Sequence, residues 1–221
     1  MEPIKITIFQ AYLFWENVEK NLQNLSLRLS NLKEKTDLII LPEMFNTGFS
    51  MNVEKCAERM DGQTMRWMFN TSKSFGCIVA GSLMVEENGN YFNRFVWMSP
   101  DGSYVHYDKR HLFGLGSSKE NEVFTAGTDR IMLKLKGWKI CPMICYDLRF
   151  PEGYATEFGL DTSAIKELKD LEPYLEWCKT EKGLKYPFFI QKTPMFFRFY
   201  IDKYDFFTGT NSLFAIDRAT N

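Results

Sequence analysis

Ile4, Ile6 and Ile8 alternate with Lys5 and Thr7, the two-residue period of a half-buried strand, and predict a strand over residues 4–10. The period then lengthens. Val18, Leu22, Leu25, Leu29 and Leu32 recur at steps of three and four, which predicts an amphipathic helix over 15–34. Residues 37–41 are a short apolar run closed by Pro42, and strand, helix and strand in that order predict a βαβ unit. The segment 42–50 reads as a loop from its Pro, Asn and Gly content, and Met65, Met68 and Phe69 mark a helix over 63–75. Strands over 77–85, 91–98 and 103–108 follow as a meander, turning at Asn88-Gly89 and Asp101-Gly102. A second glycine-containing loop covers 108–116, and strands over 130–135 and 138–144 pair across Lys136-Gly137. Farther on, 162–171 and 173–182 read as two short helices, the second with Pro173 at its first position. A stretch dense in aromatics, from Tyr186 to Phe207, is broken by Pro187 and Pro194 and alternates poorly.

Three polar residues stand at comparable places in this pattern. Glu43, Lys109 and Cys145 each follow a predicted strand, and in α/β sheets ligands bind at the loops leaving the carboxyl ends of strands. At Cys145 the apolar run stops abruptly, with Tyr146, Asp147 and Arg149 next. A cysteine at such a bend presents its sulfur to a cleft and leaves the following N–H groups free to meet a ligand, as in a nucleophile elbow. A thiol is only a few per cent thiolate at pH 7, so a nucleophilic cysteine needs a base or a nearby cation. A carboxylate and an ammonium supply both, and an ammonium also stabilises a tetrahedral oxyanion. The set therefore has the parts for acyl transfer from an amide or nitrile carbon. Each member has a plainer reading as well: Glu43 as a cap, Lys109 with Arg110 as a solvated pair, Cys145 as core.

Composition narrows the partners. The 221 residues carry a net charge of −1 with acidic and basic positions interleaved, which argues against a nucleic-acid partner. No apolar run approaches membrane-spanning length. Five cysteines at irregular spacing, with no leader-like start, predict reduced thiols and a cytoplasmic location. His106 and His111 lie five apart without a cysteine or carboxylate at ligand spacing, so neither a metal nor another cofactor is expected. Cys141 is expected to pack in its strand, and Arg149 either to tie down the elbow or to meet a substrate carboxylate.

The segments Leu41-Pro-Glu-Met-Phe-Asn-Thr-Gly-Phe-Ser50, Tyr107-Asp-Lys-Arg-His-Leu-Phe113 and Ile144-Cys-Tyr-Asp-Leu-Arg-Phe-Pro151 resemble, in order and separation, the three signature blocks of the nitrilase (carbon–nitrogen hydrolase) superfamily. The wording of the first two is similar to the omega-amidase branch, which hydrolyses 2-oxo-dicarboxylate monoamides. The resemblance implies Glu43 as general base, Lys109 as oxyanion-stabilising cation and Cys145 as the nucleophile that becomes a thioester. It adds the Tyr146 N–H to the oxyanion hole. It also implies a second, supporting glutamate, matched by Glu120 on counting back from Thr125-Ala-Gly127, with Glu122 as competitor. The partner it implies is a small-molecule amide, with a homo-oligomer left open.

The resemblance runs over residues 1–152 and then stops, so the expected fold is an incomplete nitrilase-like αββα sandwich. An unrelated helical and aromatic-rich segment is expected over 153–221. Two rivals stand beside the amidase: an inactive truncated or fused relative, and an enzyme acting on small nitriles.

Overall fold

In the computed structural model, which describes residues 2–115 and 118–150, the opening alternation forms strand β1 (Ile6–Ile8). Helix α1 (Val18–Leu29) follows, and the Asn17 side chain accepts from the Lys20 N–H at 3.0 Å. That cap starts the helix three residues later than its apolar period suggested. Strand β2 (Leu38–Ile40) pairs with β1 in parallel, Ile6 opposite Leu38, so the βαβ unit is present. A single-turn helix α2 (Val53–Cys56) precedes α3 (Gln63–Phe75). The meander is β3 (Ile78–Glu87), β4 (Asn90–Met98) and β5 (Tyr104–Asp108). With β3 parallel to β2, one five-stranded sheet runs in the order β1-β2-β3-β4-β5. Two short antiparallel ribbons follow, β6 (Gly114–Leu115) with β7 (Ser118–Lys119), and β8 (Leu133–Leu135) with β9 (Trp138–Ile140). Helix α4 (Glu120–Val123) lies between the ribbons, and Cys145–Arg149 form a 3-10 turn.

The period-two pattern of the central strands sorts the sheet into two apolar faces. Ile39, Val79, Leu83, Val85, Val96 and Met98 pack under Leu22, Leu25 and Leu29 of α1 and Met65 and Met68 of α3. Their neighbours Leu38, Ala80 and Trp97 face the other way and meet Leu133, Leu135 and Ile140 of the β8–β9 ribbon. On the helix side, the buried Arg94 of β4 grips Asp108 opposite it on β5, through Nε at 2.7 Å and a terminal nitrogen at 2.8 Å.

One expected strand is shorter than its apolar run. It ends at Ile140 rather than at 144, because Pro142 has no N–H to continue a ladder. Cys145 therefore follows four further residues, and Glu43 stands three beyond β2, so of the three only Lys109 leaves its strand directly. The helices expected over 162–171 and 173–182, the aromatic stretch and the segment boundary near 153 lie outside the described residues.

Candidate active site

Glu43 is delivered by the loop leaving β2, which is laced along β3. The Leu41 N–H donates to the Ala80 carbonyl at 2.7 Å, and the Met44 and Phe45 N–H groups donate to the side-chain and main-chain oxygens of Ser82 at 3.0 and 3.1 Å. A Cβ on Gly81 would sit 2.9 Å from Leu41 Cβ and from a Phe45 ring carbon, so glycine is what lets the loop lie this close. Met44 then takes a φ of 48°, turning the chain sharply after the glutamate.

Lys109 is the first residue past β5, and its N–H donates to the Asn93 carbonyl at 3.0 Å. Behind it the Gly127 N–H donates to the Lys109 carbonyl at 2.9 Å. Since β1, β2, β3 and β5 run in one direction and β4 in the other, Glu43 and Lys109 emerge at the same end of the sheet.

Cys145 heads the 3-10 turn with a φ of 46°, in the left-handed region that costs a non-glycine residue about 1–3 kcal/mol. Asp147 holds the turn. Its fully buried carboxylate accepts from Tyr107 Oη of β5 at 2.8 Å, the His111 N–H at 2.9 Å and the Ile144 N–H at 3.0 Å, with His111 Nδ1 also at 2.9 Å. The His111 ring stacks on Phe150, centroids 3.8 Å apart. Arg149 lies over the Tyr146 ring, 5.8 Å from its centroid.

These elements gather the charges. The fully buried Lys109 ammonium donates to Glu43 Oε1 at 2.8 Å and to Glu120 Oε2 at 2.6 Å. Burial works against the ammonium, but the Glu43 and Glu120 carboxylates, together with Cys145, hold it above the ordinary lysine range. Cys145 is thus within electrostatic reach of Lys109. Glu120 also accepts from the Phe113 N–H at 2.9 Å. Burial first, then the Glu43 charge, push its carboxyl up against the pull of Lys109. Of the two glutamates weighed for the supporting position, Glu120 is the one at the lysine, and Glu122 pairs with Lys119 at the surface, 2.6 Å away.

Asn93 is the member that sequence reasoning missed. Its amide donates to Glu43 Oε1 at 2.9 Å and to Glu120 Oε1 at 3.0 Å. The signal was there in the adjacent polar pair Asn93-Arg94 in the middle of a mostly apolar strand. One residue faces the site and the other the helix side. Asp147 was visible only as a polar residue after the cysteine. Chemically, two carboxylates share one ammonium. Glu120 has both oxygens engaged, whereas among the described residues Glu43 Oε2 receives no hydrogen bond.

The carbon-nitrogen hydrolase family model matches residues 5–165. The chain belongs to that family. Among curated relatives, the omega-amidase YafV of Yersinia enterocolitica is 36% identical over 151 residues, 68% of this chain and 57% of that one. The 2-oxoglutaramate amidase of Bacillus subtilis is 29% identical over 150 residues, 66% of this chain and 57% of that one. A carbon–nitrogen hydrolase superfamily protein of Xanthomonas campestris, solved with an arsenic adduct in its active site, superimposes with a TM-score of 0.65 at 38% identity. It covers 69% of this chain and 57% of the other. The fold is accordingly nitrilase-like, and the chain spans a little over half the length of the curated relatives it matches. Among the described residues no helix is long and apolar enough to cross a membrane.

Proposed function

We propose that the chain hydrolyses the carbon–nitrogen bond of a small carboxylated amide, of the 2-oxo-dicarboxylate monoamide class, through a thioester on Cys145. The observation that carries this reading is the buried Lys109 ammonium clamped between Glu43 and Glu120, with Cys145 in its field. The names of the curated relatives support the substrate class.

In the proposed cycle Glu43 Oε2 takes the thiol proton as the sulfur attacks the amide carbon. The new S–C bond turns the carbonyl into an oxyanion that faces the Lys109 ammonium and the Tyr146 N–H. Collapse breaks the C–N bond, and the proton on Glu43 passes to the leaving nitrogen, which departs as ammonia. A water molecule deprotonated by Glu43 then opens the thioester, giving the acid and returning a proton to sulfur. Glu120, with both oxygens occupied, positions the lysine and takes no proton in the cycle. A cysteine nucleophile must stay reduced, so the cytoplasm is the compartment proposed.

Purified protein is expected to release ammonia from 2-oxoglutaramate, with all activity lost in Cys145→Ala and a loss of roughly 10²–10⁴-fold in Glu43→Gln. Intact-mass spectrometry should catch the acyl adduct on the wild-type chain. A cooperatively folded protein that releases no ammonia and forms no adduct would sink the proposal and leave the inactive relative standing.

A further inference from the structure

Asn93 sits in the middle of β4, fully buried, on the sheet face away from α1 and α3. Its Nδ2 spends both N–H groups on carboxylates, one on Glu43 and one on Glu120. The orientation of the amide follows from those neighbours, since turning it over would set its oxygen against two negative charges. The other end of the side chain is left without return: Oδ1 is buried and accepts no hydrogen bond among the described residues. What sets Asn93 apart is its amide, which spans two acids.

The bridge has two physical effects. Hydrogen bonds to a carboxylate favour its charged form, so the amide lowers the proton affinity that crowding two acids would otherwise raise. Together with Lys109, it also fills Glu43 Oε1 and leaves Oε2 as the oxygen available to a proton. The main chain adds precision, because the same residue accepts the Lys109 N–H on its carbonyl. One residue thus fixes the acid, the cation and the supporting acid relative to one another.

We propose that Asn93 is a positioning residue of this site, which by bridging Glu43 and Glu120 sets the pH at which Glu43 accepts the Cys145 proton. This rests on the hydrolase reading above. The test uses the full chain as wild type, Asn93→Ala and Asn93→Asp, the last keeping the shape while adding a third acid. Peptide-resolved alkylation of Cys145 by iodoacetamide, followed between about pH 5 and pH 9, reads the thiol without turnover. The pH profile of kcat/KM for ammonia release reads it with turnover.

Both variants should lose roughly 10- to 100-fold in kcat/KM, the ordinary worth of hydrogen bonds to charged groups. In both assays the acid limb should move to higher pH, by about one unit in Asn93→Ala and farther in Asn93→Asp. Unchanged limbs with only a lower urea midpoint would overturn the proposal, and so would two variants that fail to fold, since a positioning role leaves the fold standing. If the wild type releases no ammonia, the hydrolase reading falls while the alkylation limbs still decide the role of Asn93.

Discussion

Lys109 is the residue on which the charges of the site balance. It is fully buried, and its partners are two carboxylates at 2.8 and 2.6 Å. Replacing it by methionine keeps the bulk and removes the countercharge, and breaking a buried ion pair from one side typically costs about 3–5 kcal/mol. The penalty should depend on pH. In Lys109→Met two adjacent buried acids raise one carboxyl above its unfolded value, so its stability is full below that unfolded value and is lost as pH rises through the folded one. Urea melts should therefore show a larger loss relative to wild type at about pH 8 than at about pH 5. Equal losses at both would mean that the acids are not coupled. The alternation and turns of the chain picked out this lysine and Glu43, whereas Glu120 came from the family resemblance, with Glu122 as competitor. The polar pair Asn93-Arg94 marked the position without its role, since a pattern along one strand does not say which loop crosses above it.

At the scale of elements, the turn that carries Cys145 is held by Asp147 rather than by a strand. The contacts to Tyr107, His111 and Ile144 tie it to β5 and to the loop after β5, the same strand that delivers Lys109. Asp147→Ala should thus cost roughly 3 kcal/mol or more and loosen the turn first. Hydrogen exchange is the measurement, with protection falling over residues 144–150 while α3 stays as protected as in the wild type. Uniform loss across both would place the defect in the whole fold instead. Most elements were legible: α3 and the meander lie where the hydrophobic period put them, and β1, α1 and β2 fall inside their expected spans but are shorter at both ends. The single turn of α2 and the two-residue strands of the β6–β7 ribbon are too short to show a period. The strand before Cys145 was overread because apolarity outweighed Pro142.

For the molecule as a whole, the sheet divides its labour between its faces. One face packs α1 and α3, and Arg94 locks β4 to β5 there through Asp108, directly beside Lys109 in sequence. The other face carries the apolar layer under the β8–β9 ribbon and, farther along the strands, Asn93 beneath the acids. Family membership was legible from three blocks that the fold brings together at one end of the sheet. What the three blocks could not convey is how the intervening strands hold them.

The left-handed backbone at Cys145 has its own consequence, because the sulfur is gained at the expense of robustness. Alanine there keeps the awkward dihedral and loses only the thiol, whereas glycine accepts the dihedral freely. Cys145→Gly should accordingly outlast Cys145→Ala in a urea melt by about 1 kcal/mol, although neither keeps the proposed nucleophile. Glycine is thus the more durable residue at this position, and the strain at Cys145 is what the turn gives up to present a thiol there.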